Sequence, residues 1–235
     1  MKNNLILFLI IGIITFFGNV FFVQAATPES LFYLTWESDS LAPIDYFGKI
    51  LVTTDSVVKV SVQPLIYSSG SYADSSQWNY RWYLNDEFAN IDGVGIKQFR
   101  FRVKGYNLTE QTVKVKITFP NGAEQEKSII IPITTPRVII KSNNQSLMIR
   151  DRIISTNESE VSLLAIPYFF SGSKSNLKVK WYLNDNYQNH SSSILIPLII
   201  KNGSNDSNLI KVLMSRSDDS LIRGIGQLKI NFLGI

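Results

Sequence analysis

The chain has 235 residues, 45% of them hydrophobic and 18% charged, with a formal net charge of +4. Such a chain can build packed cores and is not disordered by composition. Its weak, scattered basic excess does not suit a nucleic-acid partner, and the absence of Cys removes thiol catalysis, thiolate-bound zinc and a lipid-linked cysteine anchor.

Residues 1–25 read as an export signal. Lys2 supplies the positive start and an apolar run follows from Leu5 to Val23. Val23-Gln24-Ala25 then places small residues at the −3 and −1 positions of a cleavage site. A retained membrane anchor is the alternative, because the run approaches spanning length. Export without Cys points to a bacterial envelope protein that relies on apolar packing, not on disulfides. The expected location is outside the cytoplasm, secreted or at the cell surface, with membrane contact only through this segment if it stays.

From Ser30 onward the pattern is that of strands. Leu31–Trp36 is the first, and Leu41–Phe47 with Pro43 is an irregular connection. Val57–Tyr67 alternates Val58, Val60 and Val62 against polar residues, with Pro64 demoting its end to an edge or bulge. Ser68–Gln77 is a Ser/Gly-rich loop. Lys97–Lys104 and Gln111–Phe119 alternate again, and Pro120-Asn121-Gly122 signals a hairpin before Ser128–Ile133. No segment carries a helical period. About seven strands at this spacing are the signature of a β-sandwich.

One stretch occurs twice. Trp78-Asn-Tyr-Arg-Trp-Tyr-Leu-Asn-Asp86 returns as Leu177-Lys-Val-Lys-Trp-Tyr-Leu-Asn-Asp185, displaced by 99 residues without a gap (181 − 82). Read with period two, Trp78, Tyr80, Trp82 and Leu84 share a face, as do Leu177, Val179, Trp181 and Leu183. Tyr83 and Tyr182 take the other face. Tyr80, Trp82, Leu84, Val179, Trp181 and Leu183 are therefore the expected structural core, and Asn-Asp closes each strand. The repeat predicts an all-β chain of two tandem sandwich domains, residues 26–134 and 135–235, joined by Thr134-Thr135-Pro136. A short Pro-containing linker limits the angles between them. In the second half Arg137–Lys141, Glu160–Phe170, Ser192–Ile200, Asn208–Ser215 and Gln227–Leu233 are the further strands, and Pro167 stands where Pro64 did.

A Trp in the third strand of a seven-stranded sandwich, in these two Trp-Tyr-Leu-Asn-Asp runs, resembles the immunoglobulin-like fold. It departs from true immunoglobulins, which set a Cys pair beside that Trp, and from bacterial PKD modules, whose strand ends in a Trp-Asp-Phe-Gly-Asp-type run. The layout is similar to the small exported tandem-domain proteins of reduced-genome bacteria of the candidate phyla radiation. That resemblance implies a structural or adhesive role and no chemistry.

The inventory of reactive groups agrees. His190, the single histidine, lies in Asn-His-Ser-Ser with no nucleophile elbow and no acidic orienter beside it. Asn184-Asp185-Asn186, with Asp39, Asp45, Asp86 and Asp92, offers oxygens to a hard cation, but without the Asp-x-Asp-x-Asp spacing of a calcium loop. Gly93-Val-Gly95 and Gly224-Ile-Gly226 precede strands and open no helix, so they read as loop or bulge glycines, not as a phosphate cradle. Asn-x-Ser/Thr acceptors at Asn107, Asn144, Asn157, Asn189, Asn202 and Asn205 arise by chance in a chain this rich in Asn and Ser. No catalytic residue, metal or cofactor is expected.

Among Trp36, Tyr46, Phe47, Tyr72 and Trp78, Tyr72 in the Ser/Gly-rich loop is the best candidate for an exposed contact. Arg100, Arg102, Lys114 and Lys116 all point outward in this register and would steer the protein towards acidic envelope polymers. The expected function is a non-catalytic cell-envelope structural or adhesion module, whose partner is another envelope or surface protein reached through loops or sheet edges. A carbohydrate-binding accessory module contacting surface glycan is the alternative.

Overall fold

The computed structural model describes residues 32–65, 67–68, 71–72, 74–142, 147–149, 152–155, 160–189, 191–201 and 207–232. The segment 1–25 expected to direct export, His190, and the expected chance acceptors Asn144, Asn157, Asn202 and Asn205 lie outside them. No helix among the described residues is long and apolar enough to cross a membrane.

The first half holds β1 (Phe32–Ser38), β2 (Val57–Pro64), β3 (Tyr67–Ser68), β4 (Ser71–Tyr72), β5 (Asn79–Leu84), β6 (Glu87–Val94), β7 (Gln98–Arg102), β8 (Glu110–Thr118) and β9 (Glu124–Pro132). The second holds β10 (Arg137–Ser142), β11 (Leu147–Ile149), β12 (Arg152–Ser155), β13 (Glu160–Tyr168), β14 (Leu177–Leu183), β15 (Asn186–Gln188), β16 (Leu198–Lys201), β17 (Ser207–Arg216) and β18 (Arg223–Phe232). In the first half a three-stranded sheet, β1-β2-β7, faces a four-stranded one, β6-β5-β8-β9. In the second, β10-β13-β16 faces β11-β12-β18-β17-β14-β15. The strand orders correspond one to one, apart from the small additions, and this is the two-sheet arrangement of an Ig-like sandwich.

Each core fills the space between its sheets. Val58 and Val60 of β2 and Val113, Val115 and Ile117 of β8 are fully buried, as are Val161 and Leu163 of β13 and Ile210, Val212 and Met214 of β17. Every second residue is inward because side chains alternate along a strand.

Three features depart from the sequence reading. First, Asn85-Asp86 and Asn184-Asp185 do more than end a strand. All four residues have positive φ (51°, 65°, 50° and 64°), the geometry of a type I′ hairpin turn. The chain folds straight back into β6 and β15, strands the alternation did not announce. Second, β12 pairs in parallel with β18 from Arg152↔Lys229 to Ser155↔Phe232. The first half keeps a single bridge at the equivalent place, Val52↔Ile133. Third, Gly224 and Gly226 lie inside β18, not in a loop before it. A Cβ on Gly226 would stand 2.6 Å from the carbonyl oxygen of Val138, and one on Gly224 would stand 2.9 Å from that of Pro136. Glycine is required because the β10 backbone passes directly over β18.

Candidate interaction surfaces

The repeated hairpin has an inner and an outer side. Inside, Trp82 and Trp181 are 0% and 1% exposed, with Tyr80, Val179, Trp78 and Leu177 buried beside them; Leu84 and Leu183, at the hairpin ends, are half-buried. The Trp82 ring stacks on Phe99 of the facing sheet at 5.7 Å, and its Nε1 donates to the Ile96 carbonyl at 3.0 Å. Trp181 Nε1 is equally buried but finds no acceptor among the described residues. Outside, Tyr83 opposes Phe88 and Tyr182 opposes Tyr187 as direct cross-strand pairs, with ring centroids 6.0 and 5.8 Å apart.

The turn asparagines are fully engaged. Asn85 Nδ2 donates to Gln111 Oε1 at 2.8 Å, while its Oδ1 accepts from Thr112 N at 3.0 Å. Asn184 repeats this with Asn208 Oδ1 (3.1 Å) and Leu209 N (2.8 Å). The side-chain oxygens of Asn85 and Asn184 are thus committed to holding the start of β8 and β17, and the Asp86 carboxylate pairs with Lys114. No group of three or more Asp, Glu or His side chains converges among the described residues.

The basic side chains do not form one surface. Arg100 and Arg102 lie on β7, in the three-stranded sheet; Lys114 and Lys116 lie on β8, in the facing four-stranded sheet. Since all four alternate with inward residues, they look out from opposite sides of the sandwich. Three are ion-paired: Arg102 with Asp55 at 3.2 Å, Lys114 with Asp86 at 3.1 Å and Lys116 with Glu124 at 2.7 Å. A common steering face for acidic polymers is therefore lost. Arg100 and Arg102 instead line a cleft of about 590 Å³ with Glu87, Phe88 and Phe101, where the edges of the two sheets part.

The candidate aromatics scatter too. Trp78 is 4% exposed and packs edge-on against Phe119 at 4.9 Å. Trp36 carries the Lys49 ammonium 3.6 Å above its ring, and both line a cleft of about 460 Å³. Phe47 is 97% exposed. Tyr72 belongs to the two-residue strand β4, and its side chain lies outside the described residues.

The most heavily built place is the contact between the two sandwiches, which alternation could not reveal. Leu41, in the irregular stretch after β1, donates from its N–H to the Phe170 carbonyl at 2.7 Å, and its own carbonyl accepts from Phe169 N at 2.6 Å. The Leu41 side chain packs on the second core. Phe169 has φ +60°, a left-handed conformation that a bulky residue adopts only when its surroundings hold it there. Tyr46 caps the clasp edge-on to Tyr168 and Phe169, at 5.8 and 5.5 Å.

Beside the clasp runs a charged chain. Arg216, whose side chain is 10% exposed, donates to Asp55 Oδ2 at 2.5 Å, to Ser171 Oγ at 3.0 Å and to both Asp218 oxygens at 2.9 and 2.5 Å. Arg102 joins Asp55 from the other side, and Tyr106 donates to Asp219 at 2.6 Å. Burial pulls the Asp55 carboxyl up, but the hydrogen bonds and charges of Arg216 and Arg102 outweigh it and hold it below the usual carboxylate value. Arg216 is held still more firmly charged, first by Asp218 and then by Asp55.

No family model matches the sequence, and no curated protein matches it. Among solved structures, three N-terminal domains of the highly immunogenic outer capsid protein of bacteriophage RB49 align with a TM-score of 0.43 and 9% identity, over 86% of this chain and 59% of that one. Murine CEACAM1b aligns with a TM-score of 0.30 and 12% identity, over 86% and 100% of the two chains. Fibronectin(III)-like modules of Clostridium thermocellum CbhA give 0.29 and 12%, over 84% and 94%. This chain thus spans about three fifths of the capsid-protein structure it matches. The two Ig-like sandwiches follow from strand order and register themselves.

Proposed function

We propose that the chain is a non-catalytic interaction module of a bacterial cell envelope, exported by its N-terminal segment, in which two Ig-like domains meeting at Thr134-Thr135 act as one stiff body. The observation that carries this is the junction. A backbone clasp and an Arg216–Asp55 pair are more than a linker needs to keep two independent domains tethered. A stiff pair presents surfaces on both domains at fixed separation, so a partner engaging both does not have to freeze a hinge. The ion pairs and turn asparagines are engaged in holding strands and sandwiches together, which supports a binding role.

The partner expected is an envelope or surface protein. The alternative, surface glycan, draws on the cleft that sets Arg100 and Arg102 beside Phe88, since aromatic and cationic groups together suit acidic sugars. Capture from the native envelope with the two-domain protein as bait, run in parallel with a glycan array, tests the reading. Specific retention of an envelope protein without array binding is the expected result. Binding confined to glycans, abolished by Phe88→Ala, would replace the protein partner with a sugar. Release of product from envelope material would overturn the non-catalytic reading altogether.

A further inference from the structure

The corresponding three-stranded sheets of the two sandwiches differ on their outer faces. In the first, the outward pairs are Thr35↔Ser61, Glu37↔Lys59 and Lys59↔Arg100, as expected for a face in water. In the second, Ile139 opposes Ile166, Leu164 opposes Lys141, and Ile199 opposes Ser162. The outer face of β10, β13 and β16 thus carries an aliphatic patch between Lys141 at one margin and the opposed Glu160 and Lys201 at the other, a heavier apolar load than a face in water needs. Ile139 is 45% exposed, Ile199 51%, Leu195 78% and Ile44 102%. Ile44, Ile139, Ile166 and Leu195 line a shallow cleft of about 400 Å³.

We propose that this face binds the same face of a second copy of the chain. With Ile166 and Leu164 included, it offers on the order of 500 Å² of apolar surface, the upper end of what a monomer displays. Adding the polar margin of Arg137, Lys141 and Lys201 brings it near the roughly 800 Å² per partner of a standard interface. Its chemistry is aliphatic and nearly flat. Tyr168, its aromatic member, is turned edge-on to Tyr46 and makes no platform for a sugar. An aliphatic sheet face packs best on another aliphatic sheet face. The outer face of the six-stranded sheet is broken by Lys178, Lys180 and Lys211, and that of the four-stranded sheet by Arg81, Lys114 and Lys116. The aliphatic patch is matched in chemistry by the same patch of a second copy, and such an isologous contact closes at two copies.

The margin carries both signs: Lys141 lies 3.6 Å from Asp45, and Glu160 opposes Lys201 across the strands, so burial of the aliphatic side chains, not net charge, drives self-association. Docking on an acidic polymer or an anionic membrane would weaken with salt. The inference goes beyond the envelope-partner reading and does not depend on it.

Sedimentation equilibrium of the chain as its cell produces it should give twice the monomer mass, with the dimer persisting as NaCl is raised. Ile139→Asp and Ile199→Asp, on separate strands and each about half exposed, should each weaken the dimer by at least about tenfold, as central interface residues do. Gln63→Asp, on the first sandwich, should not. Unchanged melting curves show that the variants fold. A chain that stays monomeric at every concentration, a dimer indifferent to both Ile variants, or association that weakens with salt each overturns the proposal.

Discussion

Trp82→Ala and Trp181→Ala should each destabilise the chain by about 3–5 kcal/mol in denaturant melts, the cost of truncating a large aromatic in a packed core. Both rings are essentially without exposure and sit where the two sheets meet, so little can collapse into the space left. Substitution by Phe separates the two. Trp82→Phe removes the hydrogen bond to Ile96 and leaves that carbonyl without the indole donor, adding about 1–1.5 kcal/mol to the packing loss. Trp181→Phe removes a buried N–H that has no acceptor among the described residues, so part of its packing loss is offset by the relief of that unpaired donor. The expected order is a larger loss at Trp82 than at Trp181. Tyr83→Ala and Tyr182→Ala, on the outer face, lose a cross-strand aromatic pair worth about 0.2–1 kcal/mol. Tyr variants that proved worse than the Trp ones would mean that the strand register is shifted by one.

Arg216→Ala should cost about 2–3 kcal/mol, below the full penalty of breaking a deeply buried pair because Asp55 remains partly in water. Its larger effect is on coupling. Asp55 and Asp218 lose their shared cation, and the more buried charged link between the sandwiches goes with it, leaving the Leu41–Phe170 clasp, the Tyr106–Asp219 hydrogen bond and the exposed Lys141–Asp45 pair. A single unfolding transition should become two resolved ones in calorimetry. Acid should act in the same direction. The folded-state pKa of Asp55 lies below its unfolded value, so its contribution is complete above about pH 4 and fades as pH falls through the depressed folded value. Wild type should therefore begin to split below about pH 4, whereas Arg216→Ala, already uncoupled, should show little further change. A variant that still melts in one step at neutral pH would place the coupling in the clasp and the other remaining contacts between the sandwiches.

Most of the fold was legible where alternation is clean. Val57–Gln63, Gln111–Phe119 and both Trp strands have one apolar and one polar side, because each lies between a core and water. β6 was not legible. It lies at a sheet edge where exposure alternates only between exposed and half-buried, and Phe88 and Val94 stand on the exposed side while Gly93 falls on the other, so its apolar residues mark no face. β11 and β12 are too short to show one. The glycines of β18 resembled loop residues because the reason for them, the β10 backbone, is far away in sequence. The junction was invisible for the same reason: Asp55 and Arg216 are 161 residues apart, and Leu41 stands beside Pro43 in a stretch with no strand character. Parity placed Arg100, Arg102, Lys114 and Lys116 outward, but parity does not say which sheet a strand joins, and that decided that they share no surface.

Whether the two sandwiches move as one body is directly measurable because the chain has no Cys. Spin labels attached through Gln98→Cys on the first sandwich and Lys180→Cys on the second report the distance between them by pulsed electron resonance. A single narrow distribution at neutral pH, broadened by Arg216→Ala and by acid, is the predicted result. A broad distribution in the otherwise unaltered protein at neutral pH would contradict it.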